Sequence, residues 1–284
     1  MKNILMVIFV SVVLAGCSKE VSLCNDPAVA GALKDEMLGF LKALEIGKDS
    51  KEIPLVLQKG KKHVDGFSVT VTDASQEAYQ KDADRRSCTA LAEMGEPIKS
   101  ALLSNAPKQS PNQAAMGLKL PLAFSLKGLA DGGGKFKVEL NKESAELLAQ
   151  FSVILLQSVA GKVADEELAG VWTGDYSCSG LENATDGPQG PYKLPVVMKS
   201  VVNGTKAELT LDRTTAGGGI EKLKGVAMLD GSISLNGQGM NSPDDKWNTS
   251  FDGKIAAGKA SAEGSIKSLQ DEMLRSCKLN LTRG

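Results

Sequence analysis

The sequence predicts two unlike halves: an α+β domain, a helix laid on an antiparallel sheet, and then an all-β antiparallel meander closing into a small barrel of about eight strands. Three observations predict it. Apolar residues recur at helical spacing within 27–44, and a second helical segment over 142–161 is apolar nearly all round. From about residue 167 onward short alternating runs replace that pattern. The same stretch holds 17 of the 30 glycines, and tight turns between short strands need them.

The first residues belong to neither half. Lys2 is followed by an apolar run from Ile4 to Leu14, well short of the roughly 20 residues a membrane-spanning helix requires. It has the order of a secretory leader: a positive start, an apolar core and small residues. Those small residues, Leu14-Ala15-Gly16 before Cys17, resemble the lipobox of bacterial lipoproteins. The resemblance implies cleavage before Cys17 and acylation of its sulfur and new amino terminus. In that family an aspartate after the cysteine favours inner-membrane retention, whereas Ser18 and Lys19 stand here. The expected location is therefore the outer membrane, lipid-anchored and facing the periplasm. The expected division is 1–16 signal peptide, 17–23 lipidated tether, 24–164 α+β domain and 165–284 barrel. Beyond the leader no second apolar run of spanning length is expected, so the folded part reads as soluble and tethered.

Charge excludes one class of partner. The chain carries 33 basic and 34 acidic residues, leaving no basic excess to neutralise a phosphate backbone, so nucleic acid is not an expected partner. Cysteine number is informative too. Five is odd for an exported protein, and assigning Cys17 to lipid leaves Cys24, Cys88, Cys178 and Cys277. Four cysteines allow three pairings. A domain boundary near 160–168 selects Cys24–Cys88 and Cys178–Cys277, one bridge in each half. The chain-entropy argument assigns loops of that length about 4–5 kcal/mol each. No Cys-x-x-Cys occurs, so neither redox nor zinc chemistry is expected.

In the first half, Asp26 can cap a helix whose first position suits Pro27. Val29, Leu33, Met37, Phe40, Leu41 and Leu44 then line one face, and Gly47 is a natural stop. Phe67, Val69 and Val71 alternate with Ser68, Thr70 and Thr72, a half-buried strand. "RRSCTALAEM" continues as a second strand that brings Cys88 back towards the helix start. Two more strands flank the turn Asp131-Gly132-Gly133-Gly134. The helix over 142–161 is apolar nearly all round, so it packs between surfaces. This order of elements is similar to that of cystatin-like and NTF2-like domains, a likeness of topology that carries no functional residue.

The second half opens with "GVWTGDYSC". Turn signals at Asn203-Gly204 and Asp230-Gly231 separate the runs that follow, and the last run is "RSCKLNLTR". Closing the meander removes its exposed edges. In an up-and-down barrel the first and last strands are neighbours, so Cys178–Cys277 would rivet the seam. The opening Gly-x-Trp-x-Gly-x-Tyr resembles the first strand of lipocalin- and avidin-like barrels.

Residues able to carry catalysis are few. The one histidine, His63, stands among Lys59, Lys61 and Lys62, and reads as part of a solvated basic loop. "DGGGKF" lacks the spacing of a phosphate loop and sits between strands. Asp244 and Asp245 are adjacent carboxylates of a turn, a solvated pair by default. No catalytic residue, metal site or cofactor is expected. Aromatic residues make up only 4% of the chain, yet Trp172, Tyr176, Tyr192, Trp247 and Phe251 all fall in the barrel half. Trp172, Tyr176, Trp247 and Phe251 are the candidate ligand contacts, with plain core filling as the alternative. The functional expectation is a non-catalytic lipoprotein of the cell envelope that binds a small apolar ligand or an envelope protein. The alternative is an inhibitor or immunity lipoprotein against a secreted hydrolase or toxin, with the irregular segment 104–116 plugging a cleft.

Overall fold

A computed structural model describes residues 24–45, 52–81, 85–105, 119–128, 136–181, 189–215 and 218–284. Cys17, Gly47, the Asp131–Gly134 turn and residues 106–116 lie outside this set. The chain forms two compact units, one ending at Val159 and the other covering Ala160–Gly284.

The first unit is α+β, as the sequence predicts. Helix α1 (Pro27–Glu45) starts where the Asp26 carboxylate accepts the Ala28 N–H at 2.8 Å, and it buries Val29, Leu33, Met37 and Leu41 at four-residue spacing. Two short helices follow, α2 (Glu52–Lys59) and α3 (Lys61–Asp65). His63 therefore lies in a helix and not in the expected loop. Strands β1 (Val69–Gln80), β2 (Arg85–Met94), β3 (Lys119–Gly128) and β4 (Phe136–Leu140) form an antiparallel meander in sequence order. Helix α4 (Ile98–Asn105), also unforeseen, stands between β2 and β3. On β2, Cys88, Ala90, Ala92 and Met94 face the core; on β3, Leu120, Leu122, Phe124 and Leu126 do so. The Cys24–Cys88 disulfide ties the start of α1 to β2.

Helix α5 (Lys142–Leu168) starts at Asn141, whose side-chain oxygen accepts the Ser144 N–H at 2.8 Å. By length and composition it could cross a membrane, which corrects the expectation of no second apolar segment of that kind. Its apolar residues have another use here. Leu148, Leu155 and Val159 are fully buried, and Ser152 donates its hydroxyl to the Met37 carbonyl of α1 at 3.0 Å.

The second unit is a closed antiparallel barrel of eight strands. They are β5 (Gly170–Cys178), β6 (Tyr192–Asn203), β7 (Lys206–Thr214), β8 (Ile220–Met228), β9 (Ser232–Ser242), β10 (Asp245–Ala256), β11 (Lys259–Ser268) and β12 (Met273–Arg283). Each pairs with the next, and β12 returns to β5 with Cys277 directly opposite Cys178. The bridge between them rivets the seam. Alternation sets the inward face: Ala207, Leu209 and Leu211 on β7, or Cys277, Leu279 and Leu281 on β12, are buried while their neighbours face out. Gly231, at φ +84°, closes the β8–β9 hairpin in the left-handed region where a side chain would be strained.

Candidate functional site

One end of the barrel is shut by its own chain. Gly170, the first residue of β5, directly follows α5 and one connecting residue, and the last turn of that helix presents carbonyls with no partner inside the helix. Trp172 fills one of these roles, donating its indole N–H to the Leu168 carbonyl at 3.3 Å. Arg283, near the end of β12, donates to the Glu166 carbonyl, with its guanidinium carbon 5.9 Å from the centre of the Trp172 ring. Cations and donors suit the negative end of a helix. Trp172 and Leu168 are fully buried there.

The opposite end gathers the last residues of β5, β7, β9 and β11 and the first of β6, β8, β10 and β12. Its inward ring is polar. Glu221 of β8 is fully buried and accepts the Arg213 Nε–H at 2.5 Å on Oε2. Its Oε1 accepts the Trp247 indole N–H at 2.9 Å and the Thr249 hydroxyl at 2.5 Å. The Arg213 guanidinium stacks 4.3 Å from the centre of the Tyr176 ring and donates through Nη2 to the Tyr192 hydroxyl at 3.3 Å. Arg275 of β12 is buried as well. It donates to the Ser179 carbonyl, to the Gly190 carbonyl at 3.3 Å and to the Gln189 side-chain oxygen at 2.7 Å, holding both feet of the β5–β6 connection.

This burial is visible in the ionisation of the cluster. Desolvation pushes the Tyr176 phenol far above its ordinary range, and the Glu221 carboxylate adds to it; the stacked Arg213 pulls the other way without cancelling them. Tyr192 is raised for the same leading reason. Burial works against the charge of Arg213, but Glu221 and the two tyrosines outweigh it, so the guanidinium is held more firmly protonated than usual. The Tyr176 hydroxyl is buried and makes no hydrogen bond of ordinary geometry.

The four aromatic residues singled out from the sequence all point into the barrel, but they do not form one cluster. Trp172 sits at the shut end and Trp247 at the polar end. Tyr176 and Phe251 meet edge to face between them, ring centres 5.2 Å apart, and Tyr192 stacks on Tyr176 at 6.3 Å. Glycines make room for the rings: a Cβ at Gly239 would run into the Trp247 indole, and one at Gly264 into the Phe251 ring. Sequence reasoning missed Arg213, Glu221, Thr249 and Arg275. Strand parity could have found them, because Arg213 continues the Ala207, Leu209, Leu211 series and Arg275 precedes Cys277, Leu279 and Leu281 on the inward face.

Elsewhere the described residues offer less chemistry. Asp245 accepts from the Asn241 side chain at 2.7 Å in an exposed hairpin. An outer groove of about 530 Å³ over the seam is lined by Ser177, Ser179, Ser276, Lys278 and Glu263. Among the described residues no three metal-ligating side chains come together. No known protein family matches the sequence, and comparison with curated proteins finds no match.

Proposed function

We propose that this is a non-catalytic binding lipoprotein of the bacterial cell envelope, anchored through acylated Cys17, whose barrel takes a small ligand at its polar end. One observation carries the reading. The inward ring at that end assembles Arg213, Glu221, Arg275, Tyr192 and Trp247, the mixture of oriented polar groups and aromatic faces that fixes small ligands. The other end is occupied by the Trp172 and Arg283 contacts to α5. The test is native mass spectrometry of the mature protein after exposure to envelope extract. A small molecule retained by the wild type and lost on Trp247→Ala is the expected result. Nothing retained by the wild type counts against the reading. Intact mass before and after reduction tests the acyl chains on Cys17 separately.

A second reading has its own observation. Ile220 and Met240 are paired across β8 and β9 and, with Leu269 and Met273, are exposed apolar residues around the same rim. Scattered apolar side chains around an arginine and tyrosine floor suit a protein partner, including the hydrolase or toxin of the inhibitor alternative. Crosslinking in living cells from a photoreactive residue at position 273 separates the two: a protein adduct favours the partner, and retention of a small molecule favours the ligand.

A further inference from the structure

We propose that the ligand taken at the polar end is a small organic monoanion, a carboxylate in the simplest case, held chiefly by Arg275 with Arg213 beside it. This deepens the small-ligand reading above and depends on it.

Among the described residues three charged side chains face inward at this end: Arg213, Arg275 and Glu221. Glu221 is fully committed, with one oxygen on Arg213 and the other on Trp247 and Thr249. Arg275 therefore has no carboxylate among the described residues. Its partners are three neutral oxygens, those of Ser179, Gly190 and Gln189. Those bonds engage Nη1 twice and Nη2 once, which leaves Nε–H and one Nη2–H without a protein acceptor among the described residues. Yet Arg275 is only 7% exposed, and a buried cation without a counter-ion is costly to maintain. The two guanidinium groups are also neighbours, their carbons 5.7 Å and 5.3 Å from the centre of the one Tyr192 ring. Like charges brought together on one aromatic ring, in excess by one over the acid among the described residues, form the complement of a single negative charge.

Two further features sharpen the class. The Tyr176 hydroxyl, in a fully buried residue with the Arg213 guanidinium as its neighbour, makes no hydrogen bond of ordinary geometry, and buried donors of this kind are otherwise satisfied. Below it the interior is occupied by Tyr176, Phe251 and the ring-matched glycines, so a long apolar tail has no place to go. The ligand is accordingly small and seated at the rim, with its anionic group towards arginine, where charge-assisted bonds are strongest. A merely structural Arg275, latching the connection through its N–H groups, requires donors but no net charge, and this difference is what the experiment reads.

The full mature protein in lipid nanodiscs has two indole N–H resonances, one from each end of the barrel, since the chain has two tryptophans. Benzoate and its neutral isostere benzamide are titrated separately. Benzoate is expected to shift the Trp247 resonance and leave Trp172 unmoved, with benzamide about tenfold weaker or worse. Arg275→Gln, which keeps an amide donor but removes the charge, should weaken benzoate about tenfold, while Gln189→Ala, which cuts the latch and keeps the charge, should change it less than about twofold. If Arg275→Gln loses the Trp172 resonance and so has not folded, the wild-type salt dependence serves instead: benzoate affinity falls as salt rises and benzamide affinity does not. Benzamide binding as tightly as benzoate, or benzoate indifferent to Arg275→Gln in a folded protein, overturns the monoanion and leaves the small-ligand reading standing. Neither probe reaching Trp247 overturns the monoanion too; the small-ligand reading then falls only if envelope extract also leaves nothing bound.

Discussion

The two ends of the barrel use the same residue types to opposite effect. At the shut end a tryptophan and an arginine, Trp172 and Arg283, direct their donors at the Leu168 and Glu166 carbonyls. Those carbonyls belong to the last turn of α5, where a helix leaves acceptors unsatisfied. The contact therefore satisfies groups that already required partners, and it closes the end. At the other end Trp247 and Arg213 direct theirs at a buried carboxylate, Glu221, and Arg275 has neutral acceptors alone among the described residues. The same donors that complete the structure at one end leave, among the described residues, a surplus of charge and of hydrogen-bonding capacity at the other. A barrel with both ends finished like the first would be a spacer; the asymmetry is what makes binding the better reading.

Substitutions can break or sharpen this contrast. The largest effect is expected from the seam at the polar end: Cys178→Ser with Cys277→Ser frees a loop with a sequence separation of 99 residues and should cost about 4–5 kcal/mol in urea unfolding. Next comes Glu221→Ala, which strands Arg213 in the interior and should cost about 3–5 kcal/mol, whereas the double replacement Arg213→Met with Glu221→Leu should recover only part of that loss, because the Trp247 and Thr249 donors keep no acceptor. A double variant as damaged as the single one would show that the cluster acts by more than charge pairing. At the shut end Trp172→Phe leaves the Leu168 carbonyl without its indole donor, an expected loss of about 1–2 kcal/mol with no change at the Trp247 resonance.

Alkali should act on the polar end alone. Tyr176 and Tyr192 have folded pKa values raised above the unfolded value, so above roughly pH 10 the unfolded chain releases protons that the folded one retains. Stability is unaffected below that pH and declines above it, by up to about 1.4 kcal/mol per pH unit for each tyrosine. Tyr176→Phe should make the decline shallower, as read from urea midpoints between neutral pH and pH 11. The smallest expected effect is a gain: Ala257, at φ +49° in the β10–β11 turn, should tolerate Ala257→Gly with about 0.5–1 kcal/mol of added stability.

Much of the fold was legible because its signals are local. The Asp26 cap, the four-residue spacing from Val29 to Leu41, the alternation of Val69 and Val71, and the glycine turns each declare themselves within a few residues. The cysteine pairing was legible for other reasons: a domain boundary near 160–168 sets Cys24 with Cys88, and closing a meander makes its first and last strands, with Cys178 and Cys277, neighbours. Helices α2, α3 and α4 escaped because they are short: the longest has eight residues, too few for a period to stand out. The polar end escaped because its members, Arg213, Glu221, Thr249 and Arg275, come from β7, β8, β10 and β12: parity within each strand marks them as inward, but only closure of the barrel brings them together.

By itself, the order of residues along this chain determined the helix and strand periods, the turns and the partners of four cysteines, because each follows from neighbours in sequence or from the parity of a closed sheet. Only the tertiary structure decided that the two tryptophans face opposite ends, that Glu221 is shared by Arg213, Trp247 and Thr249, and that Arg275 has no acid among the described residues. Charge balance inside a barrel is a property of the ring where strands converge, and no single strand carries it.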